Sequence, residues 1–222
     1  MAYQHQMLNG DSCDLPVGKV VCVGRNYADH AKELNNPVPS SPILFIKPVT
    51  AVTNFSPCFS IPTDLGECHH ETEIALLISQ KLSQANKAEV AAAIKGIGIG
   101  LDLTLRDLQS RLKSKGHPWE QAKAFDGACP LTSFVAVAEF SDLSDLDIEL
   151  TVNQQQRQIG NSRQMLFPIL DLVTFMSNIF TLLPGDVVLT GTPSGVAPLQ
   201  PGDQLITTLG KRYSFQSEVT AR

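Results

Sequence analysis

The sequence has no Cys-x-x-Cys pair, no excess of basic residues, no evident repeat or low-complexity tract, and no apolar run of the roughly 20 residues needed to span a membrane. Each absence removes a class of protein. The five cysteines, Cys13, Cys22, Cys58, Cys68 and Cys129, are scattered and odd in number, so they read as reduced small hydrophobes rather than a disulfide framework. Cys68-His69-His70 is followed by no second cluster at zinc-ligand spacing, which argues against a zinc site. Lys and Arg number 17 against 22 Asp and Glu, a formal charge of −5, so affinity for nucleic acid or a membrane surface is not favoured. A local cationic pocket for a small anion stays open. The start, Met1-Ala2-Tyr3-Gln4-His5-Gln6, lacks the basic and apolar blocks of a signal peptide, and the expected location is the cytoplasm.

What is present describes a globular chain: 222 residues, 43% hydrophobic, with a mean hydropathy of +0.01. The most informative stretch is His69-His70-Glu71-Thr72-Glu73-Ile74-Ala75-Leu76-Leu77-Ile78. Its β-branched and aliphatic content predicts a strand from Glu71 onward. Residues two apart share a face, so Glu71, Glu73, Ala75 and Leu77 form one row, and Thr72, Ile74, Leu76 and Ile78 the other. Two carboxylates beside Ala and Leu repel each other and lose hydration, which a divalent cation between them would relieve. The wet face of an edge strand gives the same Glu-x-Glu pattern.

A second row lies in Gly96-Ile97-Gly98-Ile99-Gly100-Leu101-Asp102. Gly96, Gly98, Gly100 and Asp102 share a face, and alternate glycines imply something packed closely on bare backbone. Earlier, Lys19 to Gly24 is a buried strand. Asn26 can cap a short helix ending before Asn35-Asn36-Pro37, on which His30 and Glu33 lie three apart and share a face. A carboxylate beside an imidazole makes a general base, although an idle surface pair looks identical. With the proline-rich segment to Pro42, residues 26–42 form a candidate lid carrying that pair. Ile43 to Pro48 reads as a strand delivering Lys47 at its end. Arg106 and Gln109 start an amphipathic helix over 104–115, and Lys123 falls in a loop, where solvation is the ordinary outcome.

In the second half, Ile148 to Val152 and Gln155 to Ile159 predict a hairpin turning at Asn153-Gln154. Pro168 to Phe180 predicts a helix, and each Pro-Gly-Asp, at 184–186 and 201–203, a turn into a strand. The glycine-bearing loop Gly191-Thr192-Pro193-Ser194-Gly195-Val196 offers N–H groups and hydroxyls to an anion. The expected architecture is α+β, mostly β, in one domain over 1–222, with 1–18 as an N-terminal segment and short helices on the outside.

Together these blocks resemble the fumarylacetoacetate hydrolase family, specifically its short one-domain acylpyruvate hydrolase and oxaloacetate decarboxylase branch. The matching segments are Val23 to Tyr27 with His30 and Glu33, Leu44 to Pro48, His69 to Glu73, Leu101 to Asp107, Lys123 to Asp126, and Pro184 to Val196. The resemblance implies a mixed β-sandwich roll, a homodimer, and one Mg2+ or Mn2+ per chain held by Glu71, Glu73 and Asp102. It implies catalytic roles for His30, Glu33 and Lys123, and substrate binding by Arg25, Lys47, Arg106, Gln109 and Thr192. Full-length fumarylacetoacetases carry an aspartate where Asn26 stands. That departure and the short N-terminus argue against fumarylacetoacetate as the substrate. The substrate implied is a small 2-oxo or 2,4-diketo acid. The expected reaction is hydrolysis of acylpyruvates, with oxaloacetate decarboxylation or tautomerisation, and isomerisation of an unsaturated 2-oxo diacid, as alternatives. A non-catalytic 2-oxo-acid binder is the reading from another class.

Overall fold

The computed structural model describes residues 3–10, 13–34 and 36–222; positions 1, 2, 11, 12 and 35 of the expected N-terminal segment and lid lie outside the described residues. The fold is mostly β. One mixed sheet runs Ile43–Lys47, Val20–Gly24, Val187–Leu189, Thr72–Ile78, Ile94–Leu101, Cys129–Leu131 and Val52–Asn54 from edge to edge, with Val135–Ala136 also pairing Ile94–Leu101. A second sheet runs Gln155–Asn161, Asp147–Val152, Gln204–Leu209, Tyr213–Ala221 and Cys58–Ile61. A small third sheet joins Ala197–Pro198, Cys68–His70 and Thr104–Leu105.

The two glutamate and glycine rows turn out to be halves of one surface. Thr72–Ile78 pairs antiparallel with Ile94–Leu101 so that Glu73 faces Gly100, Ala75 faces Gly98 and Leu77 faces Gly96. Asp102 extends the register, donating its backbone N–H to the Glu71 carbonyl at 2.8 Å. Strand parity alone therefore gathers Glu71, Glu73 and Asp102 at one end of a single face. Further along, the bare glycines admit neighbours: a Cβ on Gly100 would stand 2.6 Å from Leu189 Cδ2, and one on Gly96 3.0 Å from Phe134 Cβ.

Both faces of this strand pair are covered. Ala75 and Leu77 pack with Val20, Cys22, Leu131, Phe134 and Leu189. Ile74, Leu76, Ile97 and Ile99 join a larger core with Ile148, Leu150, Leu205 and Val219 of the second sheet. This explains why the strand is apolar on both sides apart from its acidic end.

The predicted hairpin forms at Asn153-Gln154, both residues taking the positive φ its tight turn requires. The helix Lys87–Ala93 starts in a capping box between Asn86 and Glu89, and Ile169–Ile179 follows Pro168. Two local expectations need correction. The helix Ala28–Glu33 has Tyr27, not Asn26, at its N-cap. Asn26 is fully buried, and its amide instead bonds the Phe167 N–H at 2.8 Å, the Phe167 carbonyl at 3.1 Å and the Thr190 carbonyl at 2.8 Å, a use no local pattern reveals. Lys123 ends the one-turn helix Glu120–Lys123 and is buried rather than solvated.

Candidate metal centre and cleft

Glu71, Glu73 and Asp102 are each at most 5% exposed, and one carboxylate oxygen from each falls within 4.8 Å of the others. Such a cluster needs cations, and the fold supplies them unequally. Lys123 Nζ bridges Glu71 Oε2 at 2.8 Å and Asp102 Oδ2 at 2.6 Å. Arg106 donates to Glu71 Oε1 at 2.5 Å and to Gln109 Oε1 at 2.7 Å. Burial opposes charge on Glu71, yet Lys123 and Arg106 outweigh it and hold its carboxyl well below the usual range. Among the described residues, Glu73 accepts a hydrogen bond from the Gly191 N–H alone, at 2.6 Å. Burial, Asp102 and Glu71 push its carboxyl well above the usual range.

Lys47 departs from the substrate-binding role expected of it. Its side chain is fully buried behind Asp102, with Nζ 2.7 Å from Oδ1, and it donates to the carbonyls of Ala128, at 3.1 Å, and Lys123. A lysine closing a strand looks the same in sequence whether its head turns to solvent or inward. Asp102 Oδ1 receives no aligned hydrogen bond despite its burial and the nearby ammonium. Three buried carboxylates converging as a hard oxygen donor set fit a divalent cation such as Mg2+ or Mn2+.

Glu71 and Glu73 floor a cleft, and Asp102 is buried beside them. Among the expected residues, Arg25, His30, Glu71, Glu73, Arg106, Gln109, Lys123 and Thr192 line it. Glu33 stands behind His30, its Oε2 3.2 Å from Nδ1. A carboxylate only accepts, so Nδ1 is the donor in this contact, and in a neutral imidazole the lone pair is then on Nε2.

Phe45, Trp119 and Lys113 also line the cleft and were not anticipated. The signal for Lys113 was its place seven residues after Arg106, on the same helical stripe. Thr192 is held by a buried network that sequence separation concealed. Gln158 Oε1 accepts from His70 Nδ1 at 2.9 Å and the Thr72 N–H at 3.0 Å, and its amide donates to Thr192 Oγ1 at 2.7 Å. The Thr192 hydroxyl in turn donates to the Thr72 carbonyl at 2.9 Å, so it is engaged within the fold. Burial pushes the His70 imidazole down to about 4, keeping it neutral in this network.

The fold is β-rich, and its cleft is lined by buried carboxylates matched with lysine and arginine. The profile described as Fumarylacetoacetate (FAA) hydrolase C-terminal matches residues 19–219, and the chain belongs to that family. It is 52% identical over 207 residues to the oxaloacetate tautomerase YcgM of Escherichia coli, covering 93% of this chain and 94% of that protein. It is 40% identical over 185 residues to a mitochondrial oxaloacetate decarboxylase of Dictyostelium discoideum, covering 83% and 85% of the two chains. The crystal structure of fumarylpyruvate hydrolase from Pseudomonas aeruginosa in complex with Mn2+ and pyruvate superposes with a TM-score of 0.92 at 30% identity, covering 100% and 97%. Among the described residues no helix is long and apolar enough to cross a membrane.

Proposed function

We propose that this chain is a divalent-metal-dependent enzyme of 2-oxo acids that interconverts the enol and keto forms of oxaloacetate. The observation that carries the proposal is the convergence of His30, Lys123, Glu71 and Glu73 on one cleft, with Asp102 completing the carboxylate cluster. The similarity to the Escherichia coli oxaloacetate tautomerase supports this reaction over acylpyruvate hydrolysis.

Mg2+ or Mn2+ on Glu71, Glu73 and Asp102 would supply polarisation of the 2-oxo group. His30, lining the cleft with Glu33 on Nδ1, is suited to exchange a proton at C3 through Nε2. Lys123, its charge favoured despite burial by Asp102 and Glu71, offers an N–H to the oxygen where negative charge grows. Arg106 and Gln109 orient the carboxylate end of the substrate.

Hydrolysis of acylpyruvates is the second reading. The Mn2+- and pyruvate-bound fumarylpyruvate hydrolase favours it, because His30 is equally suited to deprotonate a water. The test is metal-stripped protein with oxaloacetate and acetylpyruvate side by side, with and without Mg2+ or Mn2+, quantifying enol loss, pyruvate and acetate. Metal-dependent enol loss from oxaloacetate with little acetate from acetylpyruvate is expected. Rapid acetate formation with no catalysed enol loss would transfer the assignment to hydrolysis.

A further inference from the structure

The helix Arg106–Ser114 turns Arg106, Gln109 and Lys113 toward the cleft. At 1.5 Å per residue, the stripe carries positive charge about 10 Å along the helix axis. At its inner end Arg106 is matched by Glu71. At its outer end Lys113 is exposed and bonds Asn36 Oδ1, a neutral acceptor that leaves the ammonium charge uncompensated. Arg25, Arg106 and Lys113 line this one cleft, and burial with the two guanidinium groups pushes the Lys113 ammonium below its ordinary range.

Arg25 enters the same cleft from the end of the strand Val20–Gly24. Its φ of 61° is left-handed, a conformation arginine seldom adopts. Its side chain makes no hydrogen bond or ion pair among the described residues. The floor of the cleft is charge-matched, because Lys47 and Lys123 face Asp102, and Lys123 and Arg106 face Glu71. Among the described residues that line the cleft, the rim carries Arg25 and Lys113 and no carboxylate.

We propose that Arg25 and Lys113 form a subsite for the distal carboxylate of a short 2-oxo diacid, so that the cleft selects dianions over monoanionic 2-oxo acids. The inference rests on the reading of the cleft as a 2-oxo-acid site and narrows its substrate class. A substrate held by its C1 carboxylate and 2-oxo oxygen at the floor directs C3 and C4 toward the rim. A carboxylate at C4 meets both cations in charge-assisted hydrogen bonds. A methyl there leaves them without a partner while displacing their water.

Oxaloacetate and 2-oxobutanoate differ only in that terminal group, and oxalate lacks it altogether. With Mn2+-loaded protein, the KM for oxaloacetate and the competitive inhibition constants of 2-oxobutanoate and oxalate are measured in wild type, Lys113→Gln and Arg25→Gln. Each substitution should raise the oxaloacetate KM roughly tenfold, the worth of a charge-assisted hydrogen bond, while both inhibition constants hold. Retained oxalate affinity also reports an intact fold. Lys115→Gln, at the C-cap of the same helix and outside the cleft, should change none of the three.

An unchanged oxaloacetate KM in both variants would overturn the subsite. So would an equal loss for all three ligands, which would assign these residues to the shared end of the ligand. If wild type neither turns over oxaloacetate nor binds oxalate with Mn2+ present, the 2-oxo-acid reading itself fails and the subsite with it.

Discussion

Glu33 accepts the backbone N–H of Gly195 through Oε1 at 2.9 Å, while its Oε2 faces His30 Nδ1 at 3.2 Å. One carboxylate thus fixes the imidazole and ties the helix Ala28–Glu33 to the 191–196 loop. Glu33→Gln should keep an acceptor for Gly195 but lose the charge that favours imidazolium, and kcat should fall with little change in KM. His30→Ala should cost roughly the 10²- to 10⁴-fold of a general base while metal affinity is retained. Steady-state kinetics beside metal titration checks both; full kcat in His30→Ala would take His30 out of the proton transfer.

Lys47 gives a prediction of the opposite kind, in stability. Removing its ammonium leaves buried Asp102 with Lys123 as its remaining counter-ion among the described residues, so Lys47→Ala should destabilise the protein in urea unfolding by less than the roughly 3–5 kcal/mol of a buried pair broken outright. A residue that only met substrate would leave the unfolding midpoint unchanged and alter KM alone.

The contrast between Lys47 and Glu73 indicates how much was legible beforehand. Strand parity and the ordered blocks were enough to single out the carboxylate triad and most of the cleft wall, because period-2 alternation is a local property. The pairing of the Glu71 row with the Gly96 row needed the register, which no single strand carries. The inward turn of Lys47, the tertiary bonds of Asn26 and the role of Gln158, 88 residues from His70, depend on long-range contacts and had no local mark. Lys123 was assigned through the resemblance, while its own surroundings suggested a solvated loop.

Gln158 supplies a test of that hidden network. Gln158→Ala leaves His70 Nδ1 and the Thr72 N–H without their acceptor in a buried site, at about 1–3 kcal/mol for each group. Unfolding measurements should register the loss, and kcat/KM should fall as the Thr192 loop loosens. A variant as stable as wild type would mean that the network contributes nothing net.

His5 predicts a pH dependence. It is 3% exposed, its Nε2–H donates to the Gly185 carbonyl at 3.0 Å, and Tyr3 OH meets Nδ1 at 3.2 Å. Burial pushes its pKa below the ordinary value of 6.5, against the opposing pull of the Gly185 and Pro16 carbonyls. The unfolded chain therefore takes up the proton first as pH falls. The stability from neutral His5 is present above about pH 6.5 and is lost on acidification below it. Between about pH 7.5 and 5.5 the Tm of wild type should fall more steeply than that of His5→Gln. Parallel Tm profiles would show that His5 does not contribute to the slope.

The central claim is that the Glu71, Glu73 and Asp102 cluster holds the divalent cation that oxaloacetate tautomerisation requires. The most direct measurement follows the loss of enol absorbance of oxaloacetate with Mn2+ in wild type and Glu71→Ala, with Mn2+ affinity measured on the same samples. The account predicts that Glu71→Ala loses metal affinity and enol turnover together. Full turnover by Glu71→Ala, or wild-type turnover that survives complete removal of metal, would contradict it.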